Sequence, residues 1–106
     1  AYLKEIWETL QADPHYRNKT TMLITVDHGR GTTKESWKSH GADVPGAGQV
    51  WLMAIGPDTP ALGEIKQEGQ WHSAMLPRTI FRLLGLEYPE AQAAQALPWV
   101  LGEKGN

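Results

Sequence analysis

The stretch TTMLITVDHGRG, Thr20 to Gly31, decides the fold and points to the site. Its apolar, β-branched centre predicts a strand over 21–26, and the scarcity of polar residues suits a strand buried on both faces of a parallel sheet. The strand ends abruptly at Asp27 and His28, which are followed by glycine. Neighbouring side chains on a strand point to opposite faces, but a glycine turn would let this acid and this imidazole share one metal.

Asp27 and His28 have two interpretations. A carboxylate oxygen beside an imidazole nitrogen suits zinc, manganese or iron better than calcium. The same residues also fit an ordinary strand-ending turn, in which Asp27 caps backbone amides and His28 is a surface residue. His40 follows twelve positions later and again precedes a glycine. It favours the metal site, because three ligand-type residues would then lie at one edge of the sheet.

Other charged residues are weaker candidates for a site. Arg30 is placed to pair bidentately with phosphate or sulfate oxygens. Lys34 and Lys38 are predicted to lie on a solvated loop face, and His15 is predicted to be exposed. His72 either lines the same sheet edge as Asp27 or helps to start a helix. There is no G-x-S-x-G elbow, P-loop or G-x-G-x-x-G motif.

Hydrophobic spacing and turn residues predict the remaining elements. They are a helix over 2–12, a strand over 50–55, a helix over 73–84 between Ser73 as N-cap and Gly85 as C-terminal cap, a short helix over 90–96 and a frayed tail over 102–106. The fold class is therefore α/β, and the long loop 27–48 leaves the end of the first strand where open α/β sheets bind ligands. Two strands do not complete such a sheet. We therefore expect either a third strand within 63–68 or strands that are supplied by a stretch of chain outside these residues.

Composition excludes several classes of function. The 106 residues carry a net charge of −2, which gives no reason to expect nucleic acid or an anionic membrane as partner. The absence of cysteine excludes disulfides and thiolate metal sites. No apolar run approaches the roughly 20 residues of a membrane span. The five tryptophans, spread from Trp7 to Trp99, are predicted to pack in the core rather than to form a binding strip.

Four segments taken in order resemble the C-terminal part of the alkaline phosphatase superfamily: TTMLITVDHGRG, SHG, VWLMAIGPDTPALGE and MLPRTIFRLLGL. That superfamily includes phosphatases, type I phosphodiesterases, sulfatases and cofactor-independent phosphoglycerate mutases. The resemblance covers most of the chain, from residue 2 to about residue 88. It implies a C-terminal fragment of an αβα sandwich with a mostly parallel central sheet. DHGRG and the W-x-x-HG pattern look nearer to the phosphatases and phosphodiesterases than to the sulfatases.

The resemblance also implies roles for individual residues. Asp27 and His28 would bind one metal of a two-metal site and His40 the other, with two zinc ions expected and manganese or iron as alternatives. The substrate would be a small-molecule phosphate or sulfate ester, with Arg30 as a possible contact. A periplasmic or extracellular location is favoured by resemblance alone.

The family's nucleophile and further ligands precede the DHG motif in a longer domain, and none is found in these residues. We therefore expect residues 1–106 to be the C-terminal segment of a larger domain, with the catalytic nucleophile upstream, the rest of that domain as partner and no activity in this chain alone. The alternative is a non-catalytic α/β module that binds a metal or a protein. A structural domain without any site is a third reading.

Overall fold

The computed structural model of the chain describes residues 2–66 and 69–103. They divide into two compact units, one formed by residues 23–53 and the other by the described residues before 23 and after 53. The elements in chain order are α1 (Tyr2–Ala12), β1 (Met22–Thr25), β2 (Leu52–Ile55), a 3-10 turn (Ser73–Met75), α2 (Leu76–Leu83) and α3 (Pro98–Leu101). This mixture of helices and strands confirms the α/β class at its coarse level.

The strands β1 and β2 pair with each other in antiparallel orientation. The Thr25 hydroxyl donates to the Trp51 carbonyl at 2.8 Å, at the end of β1 and just before β2 begins. The described residues therefore do not form the expected parallel sheet. Residues 22–24 of β1 are only partly buried, so its apolar run does not mark burial on both faces. Within the predicted third strand, residues 63–66 are not a strand, and 67–68 lie outside the described residues.

Helix α1 has the predicted bounds, and its end follows from Asp13-Pro14. The Asp13 carboxylate accepts a hydrogen bond from the His15 amide at 2.8 Å, and the Asp13 carbonyl accepts one from the Arg17 amide at 2.8 Å. These bonds turn the chain where proline disfavours the helical conformation of the residue before it. His15 is exposed, as predicted.

The helix predicted over 73–84 begins with a tighter turn than expected. The Leu76 amide donates to the Ser73 carbonyl three residues back. Pro77 has no N–H with which to make the α-helical bond to that carbonyl, so residues 73–75 form a 3-10 turn and α2 starts at Leu76. Ser73 is therefore not the N-cap of an α-helix. The helix ends at Leu83, one residue before the predicted end, and Gly85 has the left-handed φ of +72° that its predicted role as C-terminal cap requires.

The short helix predicted over 90–96 is wrong. The Arg78 guanidinium donates to the carbonyls of Glu90 and Ala91, at 2.7 and 3.4 Å. These are carbonyls that a helix would use for its own backbone bonds, so the segment makes a turn and then runs without regular structure. A helix, α3, forms only from Pro98, whose fixed φ suits the first turn.

The buried centre of the larger unit surrounds a threonine hydroxyl. Leu97, Val100 and Thr79 are almost fully buried. The Thr79 hydroxyl donates to the Met75 carbonyl at 2.7 Å and accepts from the Leu97 amide at 2.8 Å. One side chain thus joins α2 to the segment that leads into α3.

The predicted frayed tail, 102–106, is described only as far as residue 103. Gly102 adopts a φ of +72°, and the Glu103 amide donates to the Pro98 carbonyl at 2.8 Å. The Glu103 carboxylate also pairs with Arg82. Residues 104–106 lie outside the described residues.

Candidate functional site

The loop between β1 and β2 is held by hydrogen bonds across its own backbone. The Gly29 amide donates to the Ala47 carbonyl at 2.7 Å, and the Gly31 amide donates to the Ser39 carbonyl at 2.9 Å. As predicted, residues 27–48 contain neither helix nor strand. Their backbone bonds nevertheless fold the loop back on itself and bring its two ends together.

Asp27 and His28 lie side by side after β1. The His28 Nδ1 lies 2.7 Å from the Gly29 carbonyl, which can only accept, so Nδ1 carries a proton and, in the neutral imidazole, Nε2 has the free lone pair. This Nε2 is 3.5 Å from Oδ1 of Asp27. Two ligands of one tetrahedral zinc ion lie about 3.4 Å apart, from zinc–nitrogen and zinc–oxygen bonds of about 2.1 Å. This pair of atoms therefore fits one metal ion.

His40 is brought against His28 by the loop. The two imidazole rings stack with their centroids 4.0 Å apart and their planes 13° from parallel. A metal bond from an imidazole nitrogen lies near the ring plane and is about 2 Å long. Bonds from two nearly parallel rings at this separation do not meet at one ion. In agreement, residues 2–66 and 69–103 contain no group of three or more acidic or histidine side chains that converge on one metal position.

The stacked histidines line a cleft of about 520 Å³, which lies within the unit formed by residues 23–53. Its lining comprises Val26, His28, Gly29, Arg30, Trp37, Lys38, His40, Gln49 and Trp51. None of these residues is acidic, and Asp27 stands beside the cleft with a highly exposed side chain. Arg30 and Lys38 make no ion pair with any residue of the described part of the chain. The cleft is therefore suited to an anion.

Three lining residues were missed by the sequence predictions. Lys38 is exposed on the loop, as predicted, but it also lines the cleft, which was not predicted. Trp37 and Trp51 are 48% and 53% exposed, so the prediction that the tryptophans pack in the core is wrong for these two. A signal was present for Trp37, because it lies in a polar, glycine-rich loop three positions before His40, where no apolar run could cover it.

His72 has a role in local backbone structure. Its carbonyl accepts a hydrogen bond from the Met75 amide at 2.9 Å, and the residue is exposed. It immediately precedes the 3-10 turn, so of its two predicted roles the structure shows the one at the start of a helix.

The chain was compared with known proteins at three levels. No protein-family model, no curated protein and no solved structure matches it. In the part of the chain that the structure describes, no helix has both the length and the apolar character needed to cross a bilayer.

Proposed function

We propose that this chain contributes ligands to a two-metal site in a hydrolase of phosphate or sulfate esters. In this proposal it is the C-terminal segment of a larger αβα domain, whose other residues supply the nucleophile, the remaining ligands and a parallel part of the sheet. The observation that carries the proposal is the arrangement of Asp27, His28 and His40 beside a cleft with free cations.

The stacking of the histidines supports two metals rather than one. Asp27 and His28 offer a pair of atoms with the spacing of ligands on one ion. The plane of His40 lies alongside that of His28, with ring centroids 4.0 Å apart. Metal ions in two-metal hydrolytic sites are about 3.5–4 Å apart. The described donors thus suit one ion held by Asp27 and His28 and a neighbouring ion held by His40.

The cations of the cleft would orient the ester. When bound, the two metals would hold the oxygens of the transferring group and stabilise charge on the entering and leaving oxygens. Arg30 and Lys38 would pair with its remaining oxygens, Arg30 through two parallel N–H bonds. Hydrolysis breaks the bond from phosphorus or sulfur to the ester oxygen. The oxygen of water joins the phosphorus or sulfur, one proton goes to the released alcohol and the other stays with the inorganic ion.

One observation favours a second candidate function, a non-catalytic module that binds a metal or a protein. Among the described residues, no serine or threonine lines the cleft, so these residues supply no hydroxyl nucleophile to it. Metal binding and catalysis must therefore be measured separately.

The test uses the protein expressed from its complete reading frame, with Asp27→Asn as the variant and Asp43→Asn as its control. Both substitutions remove one carboxylate charge from the same loop, and both residues are exposed. Replacement of residues that only orient metal ligands already weakens affinity by about 10–100-fold. We therefore expect Asp27→Asn to weaken zinc binding by about 100-fold or more and to abolish hydrolysis of 4-nitrophenyl phosphate and 4-nitrophenyl sulfate. Asp43→Asn should change neither.

The outcomes separate the candidates. Unchanged metal content and hydrolysis in Asp27→Asn would refute the proposed site. Zinc binding that depends on Asp27, in a protein that hydrolyses neither ester, would instead favour the non-catalytic module. If zinc leaves the NMR signals of the His28 and His40 imidazoles unmoved, neither the hydrolase nor a metal-binding module stands, and a protein-binding module or a structural domain is left.

A further inference from the structure

The cleft carries two large aromatic surfaces that the proposed metal chemistry does not use. Trp37 and Trp51 both line it, and about half of each residue is exposed to solvent. Trp51 is tied to β1 through its backbone, because its carbonyl accepts the Thr25 hydroxyl at 2.8 Å. Exposed indole surface gains favourable contact when a flat apolar group covers it.

The Trp37 ring lies close to two cations. The guanidinium carbon of Arg30 lies 5.8 Å from the ring centre, and the ammonium nitrogen of Lys38 lies 5.2 Å from it. Both distances are within the range of cation–π attraction. The groups suited to hold an anion are therefore the same groups that contact Trp37. An anion held by Arg30 or Lys38 would therefore lie next to this ring.

We propose that the cleft selects esters whose anionic group is joined to a planar aromatic ring, that is, aryl phosphate or sulfate esters. Trp37 and Trp51 would contact the aromatic part, while Arg30 and Lys38 pair with the anionic oxygens. An aliphatic ester of the same charge would engage the cations but would leave both indole surfaces exposed. This selectivity rests on the proposed function, since it names the substrate class of that site.

The test compares two non-hydrolysable anions, phenylphosphonate and methylphosphonate, at a pH at which both are dianions. Their dissociation constants are measured by calorimetry on the protein expressed from its complete reading frame. Favourable aromatic contact predicts that phenylphosphonate binds about tenfold more tightly than methylphosphonate. Trp37→Leu should remove most of this preference, which is measured as a smaller ratio of the two dissociation constants within that variant.

Two further variants test whether a lost preference comes from the missing aromatic ring rather than from a disturbed loop. Trp37→Phe keeps an aromatic ring and should retain most of the preference for phenylphosphonate, even if Trp37→Leu disturbs the loop. Trp71→Leu removes a tryptophan that does not line the cleft, and it should behave as the unmodified protein.

The preference and the proposed function can fail separately. Equal preference in the unmodified protein and in Trp37→Leu would overturn the aromatic selectivity while leaving metal-dependent hydrolysis intact. Equal affinity of the unmodified protein for both phosphonates would overturn it too. If neither phosphonate binds, the selectivity is again overturned, and the effect of Asp27→Asn on zinc content then decides whether the metal site survives.

Discussion

Replacing Gly29 with alanine should disrupt the loop that positions His28. A Cβ at this residue would overlap the carbonyl oxygens of Gly46 and Gln49 and come within 3.3 Å of the Ala47 carbonyl oxygen. All three are backbone atoms, which cannot rotate away as the end of a side chain can. The two arms of the loop would have to separate, and the bond from the Gly29 amide to the Ala47 carbonyl would be strained or lost.

The magnitude follows from these contacts. Overpacking typically costs about 1–3 kcal/mol, and the loss of one hydrogen bond adds about 1 kcal/mol. We therefore expect Gly29→Ala to lower the free energy of opening of the loop by about 2–4 kcal/mol. Gly48→Ala is the matched control, because a Cβ there meets nothing within 4 Å and its φ is not positive. Alanine allows the unfolded chain fewer conformations than glycine does. Gly48→Ala should therefore leave the free energy of loop opening unchanged or raise it by up to about 1 kcal/mol.

Amide hydrogen exchange measures this opening directly. The reporters are the Gly31 and Gln49 amides, which donate to loop carbonyls. A loss of about 2–4 kcal/mol corresponds to exchange on the order of 30–1,000-fold faster in Gly29→Ala. Zinc affinity should fall in the same variant, since His28 bonds to the displaced backbone. Equal exchange rates in Gly29→Ala and Gly48→Ala would refute the argument that this glycine is required by the close approach of the two arms.

Two further predictions concern the buried threonine and the cations of the cleft. Thr79→Val should lower the free energy of unfolding, measured in urea, by about 1–3 kcal/mol, because the buried Leu97 amide loses its acceptor. Thr79→Ser keeps the hydroxyl and should lower this free energy by less. Equal losses in the two variants would contradict this role of the hydroxyl. Lys38→Ala should weaken inhibition by inorganic phosphate by about 10–100-fold, as expected for the loss of a charged hydrogen bond of about 1.5–3 kcal/mol. Lys34→Ala, outside the cleft, should not weaken it, and matching inhibition constants for the two variants would place Lys38 outside the anion site.

The fold could be predicted where a local rule decides the structure. The bounds of α1 and the left-handed Gly85 follow from helical spacing and from the conformational freedom of glycine. The predictions failed where a contact with a residue distant in the sequence determines the local structure. The segment 90–96 has helix-forming composition, but its carbonyls bond to the Arg78 guanidinium twelve or more positions away. The antiparallel pairing of the strands likewise depends on the return of a long loop, which hydrophobic pattern alone does not show.

The same division holds for the candidate site. Asp27, His28 and His40 could be selected because the type and spacing of these residues suggest ligands, and the structure places them as neighbours. Trp51 could not, because an indole in a sequence is far more often a packing residue, whereas the polar, glycine-rich surroundings of Trp37 did carry a signal. Their exposure is a property of the folded loop, which has too few apolar residues of its own to cover them.

Gly29 links the stability of the loop to the chemistry of the site. Its amide donates to the Ala47 carbonyl and so closes the loop, while its own carbonyl accepts from Nδ1 of His28. In the neutral imidazole, the second bond selects the tautomer in which Nε2 is free to bind a metal beside Asp27. If the loop opens, neither the orientation of the His28 ring nor its tautomer is then held by this bond. Metal bound through Nε2 should in turn hold the loop closed, because a ligand that binds only the closed form stabilises it.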